Sequence, residues 1–285
     1  MTTKPVTLTE LELAQTWNAN ATEQTPVVFI HGLWLLPSSW DRWAALFEEA
    51  GFTPLTPGWP DDPETIEEAA AHPEVFADKT IGEVADHFEM VIRNLDRKPV
   101  IVGHSFGGLF AQILAGRGLS AATVAIDPAP FRGVMSLPVS SVMTALPVLR
   151  NLANLHRAVP LTFAQFRYAF ANAVSEDEAQ ALYKAFVVPA PGAPLFQMAT
   201  ANINPWTEVQ VDTQNPERGP LLFMSGENNH TVPWSLISSE FHLQEQDEGV
   251  TELVEMKGRG HSLIIDSGWE QVAETALAFV KRFVS

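Results

Sequence analysis

One pentapeptide constrains this chain more than anything else in it. Gly103-His104-Ser105-Phe106-Gly107 stands between a β-branched run, Pro99-Val100-Ile101-Val102, and an apolar stretch with helical spacing at 107–116. A strand that turns at once into a helix crowds backbone against side chains, and the flanking glycines relieve the crowding. Such a turn lifts the Ser105 hydroxyl above the end of the strand. It also aims the Phe106 N–H, at the helix N-terminus, toward an oxyanion developing beside it. Short apolar or alternating runs at 27–30, 52–56, 99–103, 122–126, 220–224 and 251–256 read as strands. Residues 39–50, 81–95, 107–116 and 269–283 have helical periodicity. Strands alternating with helices imply an α/β fold: a mostly parallel central sheet covered by helices on both faces.

The alternation breaks between 129 and 218. That stretch is rich in Pro, Phe, Met and Ala, with helical patches at 162–170 and 175–186. A connection this long inside one domain is usually functional. We therefore expect a helical cap, 129–218, inserted into a core formed by 1–128 and 219–285. The 285 residues fit one large domain with such an insertion.

A serine hydroxyl is a poor nucleophile until a nearby base takes its proton. His261, in the glycine-rich loop Lys257-Gly258-Arg259-Gly260-His261-Ser262 after the last strand, is the candidate base. His31-Gly32-Leu33-Trp34 follows the first clear strand, where the Leu33 N–H can act as a second oxyanion donor and Trp34 can wall a pocket. His104 is expected to pack beside the site. Phe163 and Phe166, with Phe170 and other aromatic residues of the cap, are candidates to line an apolar substrate pocket. The remaining histidines show no metal-ligand spacing, so no metal is expected, and Gly116-Arg117-Gly118 follows a helix rather than a strand, which argues against a dinucleotide fingerprint.

Composition narrows the partners. A formal net charge of -17 repels phosphate backbones and anionic lipid, so neither nucleic acid nor a membrane is expected as a partner. The chain has no cysteine, which excludes thiolate catalysis and Cys-ligated metals. No apolar segment reads as a signal peptide or a spanning helix, so the expected location is the cytoplasm. Oligomeric state is not legible.

The segments FIHGLWLLPSSW, PLTPGWPDDPET, IVGHSFGGLFAQ, VAIDPAPFRGV, LLFMSGENNHTVP and GRGHSLIIDSGW, spread from about residue 26 to the C-terminus, resemble the α/β-hydrolase superfamily. The likeness is to its bacterial capped members known as esterases, lipases and cofactor-free haloperoxidases. It implies Ser105 as nucleophile, His261 as general base and the Leu33 and Phe106 amides as oxyanion hole, with no cofactor. The chain departs from the family at the third catalytic position. The pattern G-x-x-D-x-x-V-P reads here Gly226-Glu227-Asn228-Asn229-His230-Thr231-Val232-Pro233, so Asn229 stands where an acid is usual. Three readings stay open: Asp127, ending the strand after the elbow helix, is the acid; Glu227 reaches His261; or Asn229 orients His261 without charge.

The resemblance implies hydrolysis of a small-molecule carboxylic ester or lactone with an apolar group. The alternatives are a cofactor-free oxygenase or perhydrolase on the same fold, and a non-catalytic small-molecule receptor. Haloalkane dehalogenation is disfavoured, because it needs a carboxylate where Ser105 stands.

Overall fold

The structure, a computed structural model, describes residues 7–246 and 248–284, so residues 1–6, 247 and 285 of the expected core lie outside it. The chain opens with α1 (Glu10–Asn20), whose N-terminus is closed by a Thr9–Glu12 capping box. It continues through β1 (Pro26–Ile30), α2 (Asp41–Glu49), β2 (Thr53–Leu55), α3 (Ile66–Ala71) and α4 (Ile81–Arg93). The elbow follows as β3 (Val100–His104) and α5 (Phe106–Gly116), and β4 (Ala122–Ile126) completes the first half.

The next stretch holds α6 (Val139–Leu149), β5 (Ala158–Val159), α7 (Phe163–Ala169), α8 (Glu176–Phe186), β6 (Ala190–Pro191) and α9 (Ala193–Thr200). The sequence patches 162–170 and 175–186 match α7 and α8, whereas α6 and α9 were not anticipated. The chain then returns to the sheet as β7 (Leu221–Gly226), α10 (Trp234–Gln244), β8 (Thr251–Met256) and α11 (Trp269–Val280).

Six strands form one sheet in the order β2-β1-β3-β4-β7-β8, every neighbouring pair parallel. β5 and β6 pair separately as a two-stranded antiparallel ribbon. The central strands are apolar at nearly every position because helices cover both faces, and β1, β3, β4 and β7 are buried along their whole length. α4 shows how the covering works. Thr80 and Glu83 cap its start reciprocally, and Ile81, Val84, Phe88, Val91 and Ile92 form one buried stripe. Phe29 on β1 lies among Trp40, Trp43 and Phe47, with ring centroids 5.3 to 6.5 Å away. Truncating such a ring to alanine costs about 3–5 kcal/mol. Among the described residues no helix is long and apolar enough to cross a membrane.

A parallel sheet brings all its strand C-termini to one edge. His31, Ser105, Asp127, Asn229 and His261 follow β1, β3, β4, β7 and β8 respectively, so topology alone gathers them from across the sequence.

Candidate active site

Ser105 takes φ 56° and ψ -120°, a conformation that costs a non-glycine residue about 1–3 kcal/mol. Neighbouring backbone holds it there: the Ser105 N–H donates to the Ile126 carbonyl at 3.0 Å, and its carbonyl accepts from the Ala129 N–H at 2.9 Å. Close approach dictates the glycines. A Cβ on Gly107 would lie 1.9 Å from the Ile30 carbonyl oxygen, and one on Gly32 would lie 2.8 Å from Ser105 Cβ. The His31-Gly32 turn is thereby pressed against the serine.

Ser105 Oγ lies 3.0 Å from His261 Nε2. His261 is fully buried. Burial holds it well below the ordinary imidazole range, and His104 beside it pushes the same way. His104 is lowered to about 3, again by burial, with its bond to the His261 carbonyl opposing. That bond, at 2.9 Å from His104 Nε2, fixes the elbow to the histidine loop and leaves His104 Nδ1 without a partner.

The acid side holds two residues rather than one. Asn229 Oδ1 accepts from the Thr231 N–H at 2.8 Å and the Val232 N–H at 2.9 Å. Its orientation is therefore fixed, since a flipped amide would set NH2 against two N–H donors. Nδ2 is the atom 2.9 Å from His261 Nδ1, so Asn229 offers that nitrogen a donor, not an acceptor. Asp127 lies beyond it, fully buried, with φ 43°. Its Oδ1 accepts from the Gly226 N–H at 2.8 Å, while Oδ2 has no hydrogen-bond partner among the described residues and stands 3.7 Å from His261 Nδ1. Burial pushes the Asp127 carboxyl up to about 7, against the Gly226 N–H and the Asn229 amide. Glu227 is turned away, bonded to the Gly258 N–H at 2.8 Å and to Lys257 at 3.2 Å, so it does not reach His261.

On the opposite side of Ser105, neither the Leu33 nor the Phe106 N–H has a backbone acceptor among the described residues. His31 bears on the first of these. Its Nδ1 lies 2.9 Å from the Gly32 carbonyl, which belongs to the same peptide unit as the Leu33 N–H, so the ring fixes how that amide points. Behind His31 stands Asp62, buried and ion-paired with Lys79, its Oδ2 3.2 Å from His31 Nε2 but off the line of a good hydrogen bond. Burial alone would raise the Asp62 carboxyl, yet Lys79 and then His31 hold it below the ordinary range. The sequence named His31 as part of the turn but gave no sign of Asp62, one aspartate in the loop 57–63.

The apolar wall differs from the expected one. Phe170, just past α7, meets His261 edge to face at 4.8 Å, and Trp34 meets Phe170 at 6.2 Å. Phe166 stacks behind Phe170 at 5.4 Å, one layer away from His261. Phe163 packs on Tyr183 at 5.6 Å. Helix α7 thus turns Phe163 and Phe166 into its own packing, and of the three candidates Phe170 is the one that meets His261. Ser105 is only 5% exposed, so the site is closed as it stands. A cavity of about 580 Å³ lies elsewhere, between α1, the loop 56–64 and Lys79.

Ligand-type atoms of His104, Asp127 and His261 come within 4.8 Å of one another, a grouping that spacing did not suggest. Within it, His261 Nε2 faces Ser105 and His104 Nε2 faces a carbonyl.

Comparison with known proteins bears on the fold. A family model described as the alpha/beta hydrolase family matches residues 27–275. Among solved structures, an extracellular alpha/beta-hydrolase from a Paenibacillus species superposes with TM-score 0.65 at 20% identity, covering 89% of this chain and 98% of that one. A monoacylglycerol lipase from Paleococcus ferrophilus superposes with TM-score 0.62 at 20% identity, covering 91% and 96%. A thermophilic esterase from Thermogutta terrifontis gives TM-score 0.64 at 15% identity, covering 92% and 91%. At these identities the likeness is one of fold. No curated protein sequence matches.

Proposed function

The chain belongs to the alpha/beta hydrolase family, and on that premise we propose that it is a serine hydrolase cleaving a carboxylic ester or lactone with an apolar group. The observation that carries the reading is the 3.0 Å pairing of Ser105 Oγ with a buried, neutral His261 Nε2. Ser105 attacks the carbonyl carbon as His261 takes its proton. The Leu33 and Phe106 amides hold the oxyanion, and His261 then protonates the leaving alcohol. Water repeats the sequence on the acyl-enzyme. Phe170 and Trp34 make the acyl side apolar. We read 129–218 as the cap over this site. It must move for substrate to enter, since Ser105 is nearly inaccessible.

Asp127 is the acid in this reading. While Asn229 donates to His261 Nδ1, the imidazole proton sits on Nε2 and points at Ser105, where it blocks proton abstraction. A shift of about 1 Å brings Nδ1–H into bonding range of the free Asp127 Oδ2 and turns the Nε2 lone pair on Ser105. Asn229 then serves to hold that corner of the site rather than to charge-stabilise the imidazolium.

The same Asn229 donor favours a second reading, a non-catalytic receptor with an idle serine. A fluorophosphonate separates the two. Covalent labelling that intact mass and peptide mapping place on Ser105, absent in Ser105→Ala, is the expected result. No adduct, with the fold intact, makes the chain a binder. Turnover of a short p-nitrophenyl ester is expected to fall by on the order of 10⁶ in Ser105→Ala. Retention of most turnover would mean that Ser105 is not the nucleophile and that the His261–Asp127 pair activates water directly.

A further inference from the structure

The net charge of -17 is not spread evenly. Residues 129–218 contain six Lys and Arg against six Asp and Glu, so the whole excess lies on the rest of the chain. Between Asp127 and Glu176 there is no acidic residue at all, and there are four arginines.

Apolar side chains stand exposed in this same region. Trp206 is 86% exposed, Ile203 83% and Leu137 78%, with Met135 close to them in exposure. The two loops that carry these residues are tied together. The Asn202 side chain accepts from the Gly133 N–H and donates to the Val134 carbonyl, each at 2.8 Å, and Arg132 donates to the Pro205 carbonyl at 3.3 Å. Helix α6 follows directly. Its exposed Val139, Met143 and Leu146 recur at helical spacing, and Arg150 continues the line at the C-terminal end. Arg132 and Arg150 thus bracket an apolar face. Glu208, the nearest acid in sequence to Trp206, is exposed, and its carboxylate accepts from the Gly82 N–H at 2.8 Å and from Gln197 Nε2 at 2.6 Å.

We propose that this face, formed by α6 with the loops at 133–138 and 202–206, docks the protein on an anionic lipid surface. An exposed indole, aliphatic side chains, flanking guanidinium groups and a stretch of chain without acid from 128 to 175 are what an interfacial contact needs. The contact is peripheral, and the expectation of no membrane partner rested on a net charge that averages over this asymmetry. A second copy of the chain is the rival occupant, but pairing this face with itself leaves the arginines without an anion. The surface does not depend on the serine-hydrolase reading. Where that reading holds, docking sets the cap, and Phe170 beneath it, against a source of apolar esters, since α6 packs on α7 and α9.

The test is sedimentation of the full chain with vesicles of phosphatidylcholine containing phosphatidylglycerol, against vesicles of phosphatidylcholine alone. Binding is expected with the anionic vesicles, with a blue shift of tryptophan emission and weakening as salt is raised. An Ile203→Ser/Trp206→Ser variant is expected to lose at least about tenfold in affinity, and Arg132→Glu/Arg150→Glu about as much. Either pair should turn over a soluble p-nitrophenyl ester as the unaltered chain does, which checks folding. If the chain lacks esterase activity, circular dichroism supplies that check, so failure of the hydrolase reading stays separate from failure of this one. Absence of anionic-vesicle binding by the unaltered chain overturns the proposal. So does a dimer in sedimentation velocity that either variant reduces to a monomer.

Discussion

The Asp62 and Asp127 side chains are both buried in loops that follow strands of the same sheet, yet their surroundings drive them in opposite directions. Lys79 and His31 bracket Asp62 and hold it ionised against its burial. Asp127 has no cation beside it, only the Gly226 N–H and the Asn229 amide, and rises to about 7. Burial is common to both, so the neighbours decide. A carboxylate tied to a lysine is a fixed anchor, here for the turn that aims the Leu33 N–H. A carboxylate with one free oxygen 3.7 Å from an imidazole has no such tie, and its charge depends on pH.

The contrast breaks most sharply in stability. Asp62→Asn strands the Lys79 ammonium, which is nearly buried, and is expected to cost about 3–5 kcal/mol in urea unfolding. Asp127→Asn strands no charge and is expected to fold as well as the unaltered chain at pH 5. Equal losses at the two positions would remove the distinction.

Asp127 carries the opposite pH sign. Its folded-state value is raised, so its contribution to stability is full below the unfolded carboxyl range, near 4, and is lost as pH climbs through about 7. Above pH 8 Asp127→Asn is therefore expected to be more stable than the unaltered chain, by at most about 4 kcal/mol. Urea melts at pH 5 and pH 9 check this, and a gain that ignores pH would contradict it.

Activity should mirror that loss. The ionised form that destabilises the fold is the one that accepts His261 Nδ1–H, so kcat/KM is expected to fall about tenfold per pH unit below about 7, with the pair titrating as a unit. An acid limb unchanged in the residual activity of Asp127→Asn would assign it to another group.

A third buried carboxyl sets the scale. Glu240 accepts from Gln112 Nε2 at 2.8 Å, away from the site, and burial pushes it well above the ordinary range. Its stability contribution is likewise lost as pH rises, so Glu240→Gln is expected to gain stability at pH 9 and none at pH 4, with activity untouched.

The sequence exposed what is local. β1, β3 and β4 were legible because strands covered on both faces are unbroken apolar runs, and the elbow because its glycines are forced by contact. α1 was not, since it buries Glu12 and Thr16 while Leu11, Leu13 and Trp17 face outward, the reverse of the usual stripe. α10 hides in the same way, burying Glu240 and Gln244 beside Leu236 and Ile237. Within the site, Ser105 and His261 could be named from their own motifs. Asp127 and Asn229 could not be ranked, because their meeting depends on β4 lying next to β7, and on which atom of the amide faces the ring. Phe163, Phe166 and Phe170 were all candidates and could not be told apart, since the phase of α7 decides which ring meets His261.

The decisive measurement is the single-turnover acylation rate of Ser105 by a p-nitrophenyl ester in the unaltered chain, Asp127→Asn and Asn229→Ala, side by side at pH 8. If Asp127 is the acid, the unaltered chain acylates, Asp127→Asn falls by about 10⁴, and Asn229→Ala stays within about tenfold. If Asn229→Ala abolishes acylation while Asp127→Asn keeps it, or if the unaltered chain never acylates, the assignment of Asp127 to the site's chemistry is wrong.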